Sequence, residues 1–483
     1  ITPNLQWTPC FENFTCMNLQ VPLDYTNLEA GNTHVAFMKL AATQQPAKGD
    51  ILLNAGGPGN SAARTVFLSS LVPILGTSYN LVGMDPRGVN NSGPPVNCFS
   101  DTYDRDYALN IALSSGLDPT EEGSRRDLWL MMGGLSDWCS KMRDLSVQYI
   151  NTPAVAHDML YYSEKLAELQ GETPSESLVN YYGVSYGTIL GATFASLFPS
   201  RLGRFILDGV ADIEDYYSGA WMSGILQADE AMDSFFEHCY AAGPRCKFYQ
   251  NNTSVANMRD RFEAILADVE KNPLLVTDPA LVQHPTLMKA TDIRGTVYTQ
   301  LYEFVTGFPL IASILSGLEQ DRNVTAELTH VVEHSPDLSR MAITCNDMNK
   351  RYNISSPEIY REYIEKQIGI SRYFGETWAS IVTPRCWNWQ ISPPRSQIFP
   401  TRYEITHTNS PILLTGNTVD AFTSSAFKMA GFFTGSHVLL QDGVGHGIPG
   451  IPSTCTSSHV IHFVETGQLP PNNTICPVDV RPF

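Results

Sequence analysis

Hydrophobic and polar positions along the chain fall into two regimes. Over about the first 215 residues, short apolar runs alternate with stretches of helical period. Residues 35–41, 51–54 and 79–84 read as strands. The second ends in the turn Gly56-Gly57-Pro58-Gly59 and the third in Asp85-Pro86-Arg87-Gly88. Thr152 and Pro153 read as the N-cap and first residue of a helix. That helix carries Val155, Met159, Leu160, Leu166 and Leu169 and runs to about residue 170. A strand over 178–182 then leads into Gly183-Val184-Ser185-Tyr186-Gly187. The next helix has small residues at Gly187, Gly191, Ala192 and Ala195 and stops at Pro199, before a strand over 204–208. Small side chains along one stripe let a helix lie close on a sheet. This alternation predicts an α/β fold with a mostly parallel sheet covered by helices on both faces.

From 214 to 394 the pattern is mainly helical, with few strand signals. Alternation returns with a strand over 411–415, a helix over 424–433, a strand over 437–441 and a helix over about 456–465. The expected organisation is a core built from 1–213 and 395–483, with 214–394 inserted as a helical cap. No internal repeat or low-complexity tract interrupts it. No run of about 18 apolar residues occurs, so no membrane-spanning helix is expected.

Composition narrows the class. Of the 483 residues, 43% are hydrophobic and 17% charged, which argues for a folded chain with a large core. The formal net charge of −18 opposes binding to nucleic acid or to anionic membrane surfaces, and fits a soluble protein suited to an acidic medium. The ten cysteines contain no C-x-x-C pair and so lack zinc-ribbon spacing. Cys10 with Cys16, Cys239 with Cys246 and Cys455 with Cys476 are close pairs. Elimination then leaves Cys98 with Cys139 and Cys345 with Cys386, among pairings that spacing alone does not decide. Seven N-x-[ST] sequons, at Asn13, Asn90, Asn251, Asn252, Asn323, Asn353 and Asn472, join the cysteines in pointing to a secreted glycoprotein. The chain opens at Ile1 without a charged segment followed by an apolar one, and the expectation is that a signal peptide has been removed.

The chemistry gathers at three places. Gly183-Val184-Ser185-Tyr186-Gly187 follows an apolar strand and precedes a helix, the setting a nucleophile elbow requires. A serine hydroxyl needs a base. Asp420 and His446 follow in chain order, each just beyond a strand, where a doubly wound sheet carries its chemistry. The expected roles are Ser185 as nucleophile, His446 as general base and Asp420 as the group that orients the imidazole. Either of the last two taken singly is better read as a turn residue; the order of all three carries the reading. The oxyanion donors are expected to be the N–H of Tyr186 and that of Gly57, favoured over Gly56. Together these features predict the α/β-hydrolase fold. No cofactor is implied. His330-Val331-Val332-Glu333-His334 fits H-x-x-E-H, a zinc peptidase pattern, but no third ligand stands out and a solvated helix face accounts for it.

These motifs resemble those of the secreted tripeptidyl aminopeptidases and prolyl aminopeptidase-like hydrolases of microbes. The likeness rests on Gly56-Gly57-Pro58-Gly59, Asp85-Pro86-Arg87-Gly88, the Ser185 motif, Leu207-Asp208-Gly209-Val210, Cys239 with Cys246, and the stretch from Gly416 through Asp420, Gly445-His446-Gly447 and Cys455. It implies peptide-bond hydrolysis from a free N-terminus through an acyl-enzyme. It further implies a cap acid that binds the free amine, with Glu214, Asp215, Asp229 and Glu230 as candidates. Two positions depart from the family pattern. Ala55 stands where relatives have histidine, and Asp420-Ala421-Phe422-Thr423-Ser424 replaces D-P-V-T-P. The substrate is therefore a short peptide or, in a second reading, a small carboxylic ester or lactone. A third reading is a non-catalytic binding protein on a hydrolase fold.

Overall fold

A computed structural model of the chain describes residues 1–99, 121–142, 145–251, 253–282, 285–322, 324, 328, 338–381, 383–400, 403–422 and 425–483. Its apolar runs pair into one ten-stranded sheet. The strands are β1 (Thr8–Cys10), β2 (Phe14–Pro22), β3 (Asn32–Leu40), β4 (Asp50–Asn54), β5 (Asn80–Met84), β6 (Val179–Val184), β7 (Leu202–Asp208), β10 (Ile412–Val419), β11 (His437–Val444) and β12 (Thr474–Pro477). Two short strands, β8 (Leu274–Val276) and β9 (Thr286–Met288), form a separate antiparallel pair. The sheet order is β1-β2-β3-β5-β4-β6-β7-β10-β11-β12. From β5 to β12 all neighbours are parallel, while β1, β2 and β3 add an antiparallel flank.

Both faces of the parallel part are covered, as its continuous apolar runs require. Alternate side chains go to opposite layers. Leu52, Phe205, Leu207 and Leu414 meet Val155, Met159 and Ile189 on one face. Ile51, Leu53, Ile206 and Leu413 meet Leu68, Leu75 and Phe463 on the other. The helix Thr152–Gln170 is capped one residue earlier than the sequence suggests: Asn151 accepts the N–H of Ala154. Thr152 is buried instead, and its N–H and hydroxyl both donate to Asp347.

The inserted part has its own core, with Met232, Phe235, Phe236, Phe262, Ile293, Phe308 and Ile311 at its centre. Its helix Val255–Lys271 starts at Ser254, whose side chain caps Asn257. That helix buries Met258, Phe262, Ile265, Leu266 and Val269, one stripe at helical spacing. The helix Leu338–Met348 behaves differently, because its Met341, Ile343 and Met348 pack into the sheet's own core. One buried ion pair braces the sheet side. Arg87 donates from Nε and Nη2 to Asp158 at 2.7 Å each, and further to the carbonyls of Leu23 and Pro22.

The cysteines are paired 10–16, 98–139, 239–246, 345–386 and 455–476. Asn13, Asn90, Asn251, Asn353 and Asn472 are exposed, whereas Asn252 and Asn323 lie outside the described residues, as does the H-x-x-E-H run. Among the described residues no helix is long and apolar enough to cross a membrane.

Candidate active site

Ser185 sits where β6 turns into the helix Tyr186–Leu197, with φ 60° and ψ −122°. A non-glycine residue in that region costs on the order of 1–3 kcal/mol, so its surroundings must hold it there. Its N–H donates to the Asp208 carbonyl at 2.9 Å, and the Thr188 hydroxyl donates to its carbonyl at 2.6 Å. The flanking glycines are required by space: a Cβ on Gly183 would stand 2.4 Å from the Gly187 carbonyl, and one on Gly191 2.5 Å from Leu207. The helix thus lies directly on the sheet. The β4 turn closes in from the other side, since a Cβ on Gly56 would stand 2.8 Å from that of Ser185. β4 and β6 are neighbours at the point where the strand order reverses, the place an open parallel sheet leaves for a ligand.

Asp420 follows β10 directly and His446 follows β11. His446 Nδ1 lies 3.0 and 3.1 Å from the two Asp420 oxygens. The imidazole is 5% exposed and the carboxylate 2%. Burial alone favours the neutral ring. The Asp420 charge and hydrogen bond outweigh it, with Asp208 and Glu303 adding to them, and raise the His446 pKa above the ordinary histidine value. The Phe422 N–H donates to Asp420 Oδ1 at 2.9 Å, which helps hold the carboxylate against the imidazole.

Ser185 and His446 border one cavity of about 730 Å³ that also takes in Ala55, Gly57 and Tyr186. Within the β4 turn the Gly56 N–H is already donated to the Asn54 side chain at 2.9 Å, while Gly57 faces the cavity. Aromatic rings line the cavity, those of Trp221, Tyr298, Tyr302, Trp378 and Phe422. Phe422 belongs to the run that departs from the family pattern, so that departure falls on the cavity itself.

Of the four cap acids singled out from the sequence, Asp215 alone reaches this cavity. Burial pushes its carboxyl up, against hydrogen bonds from Ser223. Glu214 pairs with Lys428, and Asp229 holds the Ser371 hydroxyl with the N–H groups of Arg372 and Tyr373. Glu230 accepts from Gln227 at the surface. The cavity instead takes Asp212, Asp292 and Glu303, which the sequence reading missed. Asp212 is neutralised by Lys428 at 2.6 Å. These acids come from the starts of three separate helices, Ile213–Ser218, Ala290–Gln300 and Phe304–Asp321, so no local pattern joins them.

Two further residues stand inside motifs quoted from the sequence but had no role assigned to them. Asp208 is fully buried and accepts from the Tyr182 hydroxyl, the Thr415 hydroxyl and the Ile448 N–H. Asn417 Nδ2 donates to the carbonyls on either side of His446, at Gly445 (2.9 Å) and Gly447 (2.7 Å). Cys455, His459 and Cys476 stand close together, but both sulfurs are spent in a disulfide and offer no thiolate to a metal.

Two family models match the chain: one described as alpha/beta hydrolase fold over residues 51–238, and one described as TAP-like protein over residues 371–476. Ser185 falls in the first span, Asp420 and His446 in the second. Tripeptidyl aminopeptidase of Streptomyces lividans is 22% identical over 500 residues, covering 99% of this chain and 87% of that protein. Serine protease Hip1 of Mycobacterium tuberculosis is 25% identical over 511 residues, covering 98% and 91%. Carboxylesterase B of the same species is 24% identical over 511 residues, covering 99% and 90%.

Proposed function

We propose that the chain, which has the α/β-hydrolase fold and matches the TAP-like model over residues 371–476, is a secreted serine hydrolase that releases residues or short peptides from free N-termini. The observation that carries this reading is the convergence of Ser185 and His446 on one cavity, with Asp420 bonded to the imidazole nitrogen that faces away from it.

The reaction would run in two halves. Ser185 Oγ attacks the scissile carbonyl while His446 Nε2 takes its proton. Asp420 keeps the other ring proton on Nδ1 and stabilises the imidazolium. The N–H groups of Tyr186 and Gly57 receive the oxyanion. As the tetrahedral centre collapses, the C–N bond breaks, the leaving amine takes the proton from His446, and an acyl-enzyme remains on Ser185. Water then attacks the ester as His446 takes its proton, and the imidazolium returns that proton to Ser185 Oγ as the C–O bond breaks and the acid leaves. Asp215, Asp292 and Glu303 give a substrate ammonium its counter-charge in the cavity. The aromatic wall favours a second reading, a carboxylic-ester hydrolase, since an apolar slot accepts an acyl chain equally well. Five disulfides and exposed sequons support secretion.

Chromogenic tripeptide anilides with free and with acetylated N-termini separate the two. The free amine is expected to be cleaved and the acetylated one to react more slowly by roughly a hundred-fold, the worth of a lost charge-assisted contact. No cleavage of either, beside brisk turnover of a p-nitrophenyl ester, assigns the site to esters.

A further inference from the structure

The acid and base loops are held from two sides. The sheet supplies Asn417 to both carbonyls flanking His446, the Val419 carbonyl to the Gly445 N–H at 3.0 Å, and Asp208 to the Ile448 N–H. The N–H of His446 itself goes elsewhere. It donates to the carbonyl of Tyr302 at 3.0 Å, in the segment that joins the inserted helices Ala290–Gln300 and Phe304–Asp321. The Tyr302 ring meets the imidazole edge-on, with centroids 4.8 Å apart and planes at 88°. A Cβ on Gly445 would stand 2.7 Å from the same Tyr302 carbonyl, so a glycine is required for this approach.

The Asp420 loop is gripped likewise. Gln227 accepts the Asp420 N–H at 3.2 Å and donates to the Thr418 carbonyl at 3.2 Å. The Tyr298 hydroxyl donates to the Ala421 carbonyl at 3.2 Å. Gln227, Tyr298 and Tyr302 all belong to the inserted part, and all three bond the backbone of the acid or base loop. An ordinary lid would only roof the substrate; these contacts reach the machinery itself.

We propose that Gln227 and Tyr302 are positioning residues, through which the inserted helices, and not the sheet alone, set where Asp420 and His446 stand. The inference rests on the reading of His446 as the general base. Its physical basis is the steep dependence of proton transfer and attack on placement, where a 1 Å error costs roughly a hundred-fold. Gln227 is the cleaner probe, since it is not among the residues that line the cavity and acts on no substrate directly.

The test uses the full chain with Gln227→Ala, the isosteric Gln227→Met, Tyr302→Gly and Tyr302→Phe. Each is assayed with a small acetyl ester that fits beside Ser185, with the peptide anilide, and by the rate of fluorophosphonate labelling; melting temperature checks folding. Both Gln227 variants and Tyr302→Gly are expected to lower kcat on ester and peptide alike, and labelling with them, by roughly ten-fold. KM for the ester should hold in the Gln227 variants, and Tyr302→Phe, which keeps the ring and the carbonyl, should lose less than Tyr302→Gly. Unchanged ester turnover and labelling in the Gln227 variants would overturn the proposal, as would losses that merely track unfolded protein in both. A wild-type chain that neither labels nor turns over any substrate overturns the serine hydrolase reading and this inference with it.

Discussion

The two sides of the cavity are built on different terms. On the sheet side the buried charges are saturated with partners: Asp208 has Tyr182, Thr415 and Ile448, and Asp420 has His446 and Phe422. On the inserted side Asp215 is held by the Ser223 N–H and hydroxyl, but Glu303 is exposed, and Asp292, half-buried, accepts the Lys289 N–H at 2.7 Å. A saturated carboxylate is fixed in place and suits a step where geometry decides the rate. A carboxylate facing open space keeps its charge available to a ligand. The sheet side is thus built for the reaction and the inserted side for choosing what reacts, with Gln227 and Tyr302 as the crossing points.

That division can be broken by substitution, because changes to the sheet side and to the two crossing points should hurt every substrate alike, while changes to the inserted-side acids should separate them. The largest effect is expected for Ser185→Ala: a loss on the order of 10⁴–10⁶ in kcat for peptides and esters both, with no fluorophosphonate labelling. Asp420→Asn should follow at about 10⁴, since the imidazole loses its tautomer and its counter-charge. Arg87→Met sharpens the contrast from within the sheet side. It leaves Asp158 buried without its partner, a cost of about 3–5 kcal/mol visible in the denaturant midpoint, while activity per folded molecule is kept. Asp292→Asn and Asp215→Asn should raise KM for free-amine peptides by about ten-fold at the more effective position and leave esters untouched, whereas Glu303→Gln should also lower the His446 pKa for both substrate classes. An equal effect on both substrate classes would break the division.

The smallest effect is a shift in pH. In the proposed mechanism the neutral imidazole is the base, and its pKa is raised above the ordinary histidine value against the opposing effect of burial, chiefly by Asp420. Activity should therefore be lost as pH falls through a value above 6.5. Asp208→Asn removes a lesser negative charge, lowers that pKa, and moves the acid limb of kcat/KM to lower pH; no movement would limit Asp208 to holding the loop.

What could be read in advance follows the same line. β3 to β7, β10 and β11 announce themselves because strand period, turn glycines and helix starts are local, and the Ser185 motif is strung directly between a strand and a helix. β1, β2 and β12 escaped: β1 and β12 are short edge pieces, and β2 mixes polar and apolar residues on a sheet flank. The helix start was misassigned from Asn151 to Thr152 because both residue types cap, and burial against Asp347 decided between them. The cavity acids were misjudged more seriously. Glu214 and Glu230 sit at helix starts, where acids are common for reasons of the helix dipole alone. Glu303 and Asp292 face Ser185 only because a distant insertion folds over it. The surface charge of −18 likewise describes solubility and not the base, whose titration is governed by two or three neighbours.

The order of the strands has a consequence for biosynthesis. β10, bearing Asp420, docks on β7, which is made long before it. At roughly 5–20 residues per second, translation leaves a nascent nucleophile without its partners for some tens of seconds. Throughout that interval the edge of β7 stays open, and it is the surface a chaperone would have to guard.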